Sequence, residues 1–81
     1  MMNNVEYKTL EVFRSVLSLP ATITPEVLVY NEYLGWDSVA HMSIVARLEE
    51  TFDCMLDMQD ILDMSSFQKA VAIMGRYSEQ P

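Results

Sequence analysis

The chain contains little of the material from which catalytic sites, metal sites and β-sheets are built. Its 81 residues include one cysteine, one histidine, two glycines and three prolines. So few turn-forming residues favour helices over a multistranded sheet. The single cysteine, Cys54, cannot form an internal disulfide, and we interpret it as a small buried or half-buried apolar residue. Without a serine–histidine–acid spacing, a glycine-rich phosphate loop or a metal-ligand pair, the chain is not expected to be an enzyme.

Long apolar runs and the features of a secretory signal are also missing. The longest apolar runs are a few residues, far too short to span a membrane, and the N-terminus lacks the basic and apolar regions of a signal peptide. We therefore expect a cytoplasmic protein that makes no membrane contact, and we also expect it to be a monomer. Hydrophobic residues form 51% of the sequence and charged residues 21%, so residues 1–81 can bury a core as one small domain.

Positive charge is scarce and unevenly placed. Twelve acidic residues against five basic ones give a formal net charge of −7. Between Asp37 and Asp63, seven carboxylates stand against one basic side chain, Arg47. Such a region repels nucleic acid and anionic membranes and attracts basic protein surfaces. The alternative is that the acidic residues only keep a small domain in solution.

Apolar periodicity predicts a first helix from Val5 to Leu19, followed by a long connection. Asn3 or Asn4 is the expected N-cap, and Pro20 ends the helix because proline disfavours a helical residue before it. The predicted buried face, with Leu10 at its edge, comprises Val5, Val12, Phe13, Val16 and Leu17.

The connection over residues 20–36 is far more apolar than a solvated loop. We expect it to lie across the bundle and to pack many of its side chains there. A short strand over residues 27–30 is the alternative, although it has no obvious partner.

Three further helices complete the prediction of an all-α four-helix bundle with a short third helix. The second helix runs from Ser38 to Phe52, the third from Met58 to Asp63, and the fourth starts after a cap at Ser65 or Ser66. The second helix is predicted to bury Val39, Met42, Val45, Leu48 and Phe52, with Ala46 widening the stripe. The third, capped by Asp57, is predicted to bury Met58, Ile61 and Leu62. The fourth is predicted to bury Phe67, Ala70, Val71, Met74 and Tyr77, with a capping box between Ser65 and Gln68.

An Asp-Ser pair opens the second helix directly after Gly35 and Trp36. Both residue types satisfy free backbone N–H groups at a helix start, where the helix dipole leaves partial positive charge. Ser38 is therefore either an ordinary cap or a point at which an anionic group is attached or held. The residues by themselves leave these two interpretations open.

A longer pattern around this pair resembles the acyl carrier proteins and their peptidyl carrier relatives. The segment that carries the resemblance reads LGWDSVAHMSIVARLEETFD and is followed by a short acidic helix and SSFQKAVAIM. Gly35, the Asp37-Ser38 pair, Phe52-Asp53 and the start of the fourth helix fall at that family's spacing without gaps. The resemblance covers residues 34–77, and before them only the general pattern of a helix and a long loop agrees.

The resemblance implies a function that composition does not. In that family the serine takes a 4′-phosphopantetheine group from coenzyme A, delivered by a phosphopantetheinyl transferase, and the arm then holds its cargo as a thioester. Carried over, Ser38 is the attachment point and Asp37 is the motif acid beside it. The implied role is a non-catalytic shuttle of fatty-acid or specialised, polyketide-like biosynthesis. An aminoacyl or peptidyl carrier and an unmodified acidic interaction module are the alternatives.

The resemblance also implies that the second helix docks on basic patches of acyl-loading and acyl-transfer enzymes. Glu49 and Glu50 match acidic docking positions, and Val39 and Met42 are the apolar candidates for partner contact. Three positions that are often acidic or neutral in fatty-acid carriers hold Ala40, Ser43 and Arg47. This departure suggests a dedicated set of partners.

Trp36 and His41 are the remaining distinctive positions. We expect Trp36 to pack against the bundle, with partner contact as the alternative. His41 is expected to be a solvent-exposed helical histidine, with an approach to the attached phosphate as the alternative. Flexible thioethers fill core gaps well, so Met42, Met58, Met64 and Met74 are predicted to lie in or beside the core.

Overall fold

The computed structural model describes residues 3–78, and these fold into four α-helices. In chain order they are α1 (Asn4–Leu17), α2 (Ser38–Phe52), α3 (Met58–Asp63) and α4 (Phe67–Ser78). The predicted all-α bundle with three main helices and one short helix is confirmed. A 3₁₀ turn, Pro25–Val27, lies in the long connection between α1 and α2. The alternative strand over residues 27–30 is wrong: Val29 forms only an isolated bridge with Ser66, and residues 3–78 contain no β-strand.

Both ends of α1 follow local backbone chemistry. Asn3 is the N-cap and forms a capping box, in which its side chain accepts from the Glu6 N–H and the Glu6 carboxylate accepts from the Asn3 N–H. The predicted end at Leu19 is wrong by two residues. Ser18 takes a left-handed conformation with φ 54°, and its N–H donates to the carbonyl of Arg14, so α1 ends at Leu17 before the proline is reached.

The core lies where α1, α2 and α4 meet, and the long connection helps to close it. Leu28 and Trp36 from that connection are almost fully buried, whereas Leu34 is 94% exposed. The prediction that the connection packs many of its side chains is thus confirmed, and Leu34 is one of those that it leaves in solvent. The most deeply buried apolar side chains of the core are Phe13, Leu28, Trp36, Ile44, Leu48, Met64, Ala70 and Met74.

Helix α2 buries only part of the predicted face, and Phe52 at its end is partly buried against the core. Val45 and Leu48 are buried as predicted, but Val39 is 75% exposed and Met42 is 54% exposed. Three residues turn a helix about 60° short of a full circle, so a stripe built from three-residue steps winds steadily away from the core. Ile44, four residues before Leu48, stays on the core side and is fully buried. Ala46 is exposed as well, so it does not widen the stripe.

The buried face predicted for α3 is also wrong for two of its three residues. Met58 and Leu62 are each 68% exposed, and only Ile61 of the three predicted residues packs on the core. The buried residue of this helix is the charged Asp60. Asp57 caps α3 as predicted, and its Oδ1 accepts from the Asp60 N–H at 2.8 Å.

Helix α4 begins with Ser66 as its capping residue. The Ser66 hydroxyl accepts from the Lys69 N–H at 3.1 Å, so the predicted capping box between Ser65 and Gln68 is wrong. Phe67, Ala70 and Met74 are buried as predicted. Ile73 is buried too and was not in the predicted stripe, whereas the partly buried Val71 and Tyr77 pack against the core.

Asp60 joins α3 to α4 through two charge-assisted contacts. One carboxylate oxygen accepts from the Arg76 guanidinium at 2.7 Å, and the other accepts from the Tyr77 hydroxyl. The Tyr77 hydrogen bond, followed by the Arg76 hydrogen bond and charge, holds the pKa of Asp60 below its usual value even though burial of the carboxylate acts in the opposite direction. The same hydrogen bond raises the pKa of Tyr77.

We predict that Asp60→Asn lowers the free energy of unfolding at pH 7 by about 2 kcal/mol, because two hydrogen bonds to a carboxylate are weakened or lost. A carboxyl group with a lowered folded-state pKa stabilises the fold fully above its unfolded-state pKa. That contribution disappears as the pH falls through the folded-state pKa. The difference between wild type and variant should therefore be constant near neutrality and shrink below about pH 4. Urea unfolding between pH 7 and pH 2 measures it.

The control for this prediction is Asp63→Asn, which changes an exposed carboxylate on the same helix. We expect this control to alter the free energy of unfolding by less than about 0.5 kcal/mol. A difference between wild type and Asp60→Asn that stays unchanged down to pH 2 would contradict the role assigned to the Asp60 carboxylate.

Candidate functional site

A tightly folded loop leads the chain into α2. The Asn31 N–H donates to the Trp36 carbonyl at 3.0 Å, and the Trp36 N–H donates to the Tyr33 carbonyl at 3.1 Å. Gly35 has φ +99°, a backbone conformation that residues with a Cβ rarely adopt. The glycine therefore permits the reversal that places Trp36 in the core and the next residues at the surface.

Trp36 anchors this loop. Its side chain is 1% exposed and meets the rings of Phe13 and Tyr30 edge to face, at centroid distances of 4.9 and 6.0 Å. Edge-to-face contacts of this kind add to the stabilisation that burial of the ring already gives. The prediction that Trp36 packs against the bundle is confirmed.

Asp37 is the residue that caps α2. Its backbone is extended, and its Oδ1 accepts from the Ala40 N–H at 2.9 Å. Ser38 is the first helical residue, so the interpretation of Ser38 as the N-cap is wrong. The Ser38 side chain is exposed, and none of the hydrogen bonds found among residues 3–78 uses its hydroxyl.

The surroundings of Ser38 fit an attached phosphate diester. The N–H groups of Ser38 and Val39 precede the first intrahelical hydrogen bond, which His41 makes to the Asp37 carbonyl. Free N–H groups and the helix dipole together favour an anion at this end of α2. The first turn of α2 contains no acidic residue, and the carboxylate of the capping Asp37 has one oxygen already engaged by the Ala40 N–H.

The predicted docking residues divide into two groups. Val39, Met42 and Glu50 are exposed on the side of α2 that faces away from the core. Glu49 is only half-exposed, and its Oε2 accepts from the Leu56 N–H at 2.9 Å. The Glu49 carboxylate therefore orders the segment between α2 and α3, whatever contact it makes with a partner.

His41 is the functional candidate that the sequence placed wrongly. It is half-buried instead of solvent-exposed, and both of its ring nitrogens have partners. The Trp36 indole N–H lies 3.0 Å from Nδ1, and the Ile61 carbonyl oxygen lies 2.9 Å from Nε2. One sequence signal was present: His41 precedes Val45 by four residues and Leu48 by seven, which is the spacing of the buried stripe.

The methionine and cysteine predictions are borne out in part. Met64 and Met74 are fully buried, but Met42 and Met58 lie at the surface, so those two predictions are wrong. Cys54 is half-buried, in agreement with its interpretation as a small apolar residue. Burial, and secondarily the carboxylates of Glu49 and Asp53, raise the pKa of the Cys54 thiol, which lowers the fraction of reactive thiolate at neutral pH.

The geometry described above is that of a small helical bundle with an exposed serine at the start of its second helix. Residues 8–73 match the protein family described as PP-binding, phosphopantetheine attachment site. This match spans most of the 81 residues and includes α2 and α3 entirely, so the chain belongs to the phosphopantetheine-binding carrier family. The expected resemblance to acyl carrier proteins is confirmed at the level of this family. No curated protein and no solved structure matched the chain.

Membership of this family establishes the cofactor class and the general mode of action. The domain is an attachment site for covalently bound 4′-phosphopantetheine. Domains of this kind are generally non-catalytic carriers, and they work with a phosphopantetheinyl transferase and with partner enzymes. Within residues 3–78, none of the helices has the length and apolar character needed to cross a membrane.

Proposed function

We propose that the chain is an acyl carrier protein and that the Ser38 hydroxyl is its attachment point for 4′-phosphopantetheine. Two observations together support the proposal. The chain matches the family of phosphopantetheine attachment sites. The Ser38 side chain is exposed and does not cap α2, because Asp37 makes the capping hydrogen bond. The attached arm supplies a terminal thiol that holds an acyl group as a thioester. The chain itself then acts as a shuttle, without catalysis, and residues 1–81 form one carrier domain.

Each residue near Ser38 has a distinct part in this proposal. Asp37 fixes the first turn of α2, so the hydroxyl is presented at the N-terminal end of the helix dipole. Gly35 and Trp36 hold the approaching loop against the core. The Ser38 and Val39 N–H groups stabilise the negative charge of a phosphate diester at this position.

Incubation with coenzyme A, Mg²⁺ and a broad-specificity phosphopantetheinyl transferase tests the proposal. Intact mass spectrometry is expected to show a gain of one phosphopantetheinyl group, and peptide mapping is expected to place it on Ser38. No mass gain, or a gain located on another serine, would contradict the assignment of Ser38 as the attachment point. Cys54 offers a weakly reactive thiol, so alkylation at neutral pH should label the attached arm ahead of the protein's own cysteine.

We further propose that the exposed side of α2 next to Ser38 is the surface that partner enzymes recognise. Val39 and Met42 present apolar area there, and Glu50 adds one negative charge two turns further along. The carboxylates of Asp53, Asp57 and Asp63 lie exposed beyond this surface and supply longer-range attraction to basic patches. Glu49 completes the proposed docking set, although its bond to Leu56 makes it a poor position for mutagenesis.

We predict that the double substitution Val39→Ala, Met42→Ala raises the KM of the transferase for the carrier about tenfold, with a smaller change in kcat. The reason is that both side chains are exposed, so truncation removes partner contact without opening a cavity in the core. Steady-state kinetics with varied carrier concentration measure this effect. Met55→Ala is the matched control, because Met55 is 84% exposed but lies outside α2. Equal KM values for the double variant and this control would reject the surface.

A further inference from the structure

The His41 side chain forms a bridge between two parts of the chain that flank Ser38. On one side the Trp36 indole N–H points to Nδ1 at 3.0 Å, and on the other the Ile61 carbonyl oxygen lies 2.9 Å from Nε2. An indole nitrogen can only donate and a carbonyl oxygen can only accept. The two partners therefore fix the imidazole as the neutral ring with its proton on Nε2. The imidazole and indole planes are inclined by 22°, and their centroids lie 5.9 Å apart, as expected for two rings joined edge to edge by this hydrogen bond.

Helix α3 depends on directed polar contacts for its position. Asp60 is its one buried residue, Ile61 is partly buried against the core, and Met58 and Leu62 point away from the core. On the α4 side the helix is held by the bonds from Arg76 and Tyr77 to Asp60. On the α2 side it is held by the contact between His41 and Ile61. A helix held in this way can shift if one such contact is lost, because little apolar packing opposes the movement.

Trp36, at the other end of the bridge, lies two residues before Ser38, the proposed attachment point. Trp36 is buried, so its indole N–H would lose its acceptor if the imidazole turned away, and a buried donor without a partner is unfavourable. Trp36 is followed at once by Asp37, which caps α2, and by Ser38. A displacement of α3 would thus disturb the loop that presents Ser38.

We infer that His41 is a positioning residue that couples the placement of α3 to the presentation of Ser38. A displacement of the Ile61 carbonyl is passed through the imidazole to the Trp36 indole and so changes the placement of the Trp36–Ser38 segment. Because such coupling is reciprocal, a change at Ser38 also alters the stability of α3. The relevance of this coupling to loading rests on the proposed attachment at Ser38, but the coupling itself is a property of the unmodified chain.

Two substitutions separate the hydrogen bonds of His41 from its bulk. His41→Phe keeps an aromatic ring in this place but removes both hydrogen bonds, and His41→Gln restores one donor and one acceptor. In the unmodified protein we expect His41→Phe to speed amide hydrogen exchange in α3 roughly five- to tenfold, with α1 and α4 unchanged. The fluorescence of Trp36, the only tryptophan of the chain, is expected to shift in the same variant. In His41→Gln, the exchange rates in α3 and the fluorescence of Trp36 should return most of the way to the wild-type values.

Two further measurements complete the test. ¹⁵N NMR of the wild-type histidine is expected to show the neutral ring protonated on Nε2, and this result needs no variant to fold. With transferase and coenzyme A, His41→Phe should lower kcat/KM for the carrier roughly tenfold, and His41→Gln should lose less.

Three results would overturn the coupling. They are a wild-type ring protonated on Nδ1, exchange in α3 that His41→Phe leaves unchanged, and an acceleration spread equally over all helices, which indicates general destabilisation. Failure of the proposed function is a separate outcome. In that case the wild-type protein gains no mass with coenzyme A, while the exchange and NMR results on the unmodified chain still decide whether His41 couples α3 to Trp36.

Discussion

Replacing Ser38 with alanine is expected to abolish phosphopantetheine loading completely while leaving the fold intact. The loading prediction follows from the proposed attachment, since alanine has no oxygen to take the phosphate. The folding prediction follows from the structure, because Asp37 makes the capping bond to Ala40 and the Ser38 side chain is exposed. A surface substitution of this type changes the free energy of unfolding by less than about 0.5 kcal/mol.

Intact mass after transferase treatment and urea unfolding measure the two parts of this prediction. Ser43→Ala is the matched control, because Ser43 is another exposed serine on α2 and lies one and a half turns beyond Ser38. The control should load fully. Loading of Ser38→Ala would show that another nucleophile is the attachment point. A loss of more than about 1 kcal/mol in stability would show that Ser38 has a structural role of the size of a helix cap.

Replacing Trp36 with alanine is expected to lower the free energy of unfolding by about 3–5 kcal/mol. The indole is 1% exposed and packs on the rings of Phe13 and Tyr30, so truncation leaves a cavity in the centre of the core. It also removes the hydrogen-bond donor to His41. A chain of 81 residues has a free energy of unfolding of about 4–12 kcal/mol at the usual values per residue, so the variant should be marginally stable.

Urea unfolding followed by far-ultraviolet circular dichroism measures this loss without relying on the tryptophan signal. Leu34→Ala is the matched control from the same loop, since Leu34 is 94% exposed and should cost less than about 0.5 kcal/mol. Trp36→Phe keeps much of the ring packing and loses the bond to His41, so its cost should fall between the two. A cost below 1 kcal/mol for Trp36→Ala would contradict the assignment of this side chain as the anchor of the loop.

Much of the architecture was predictable because it depends on neighbouring residues. The N-cap of α1 at Asn3, the start of α2 after Asp37 and the cap of α3 at Asp57 are all decided by side chains that bond the backbone three residues away. The spacing that continues downstream of Ser38 pointed to the carrier family that residues 8–73 match. These signals are local, and a single chain displays them without any knowledge of the packing.

The buried face of α2 was predicted only in part. Val45 and Leu48 belong to both the predicted and the observed stripe, but the prediction followed three-residue steps back to Met42 and Val39. The observed stripe instead includes Ile44. Helical periodicity says which residues share a face, but the elements packed around the helix decide where that face begins and ends.

The polar contacts around α3 show most clearly what could not be predicted from the sequence. The hydrogen bonds that Arg76 and Tyr77 donate to Asp60 join residues 16 and 17 positions apart, and His41 meets the Ile61 carbonyl across 20 positions. No local rule connects such residues, because each contact exists only after the helices have packed. Sequence reasoning accordingly left His41 at the surface and turned Met58 and Leu62 inward.

The sequence by itself thus determined four helices, an Asp-Ser pair at the start of the second, and a spacing that marks a carrier domain. Only the tertiary structure decided that Asp37 and not Ser38 caps α2, and that His41 joins Trp36 to α3. It also decided that an apolar surface lies beside the candidate attachment serine. The physical reason is that helix formation and capping are governed by residues a turn apart, whereas burial and long-range hydrogen bonding depend on how the helices lie against one another.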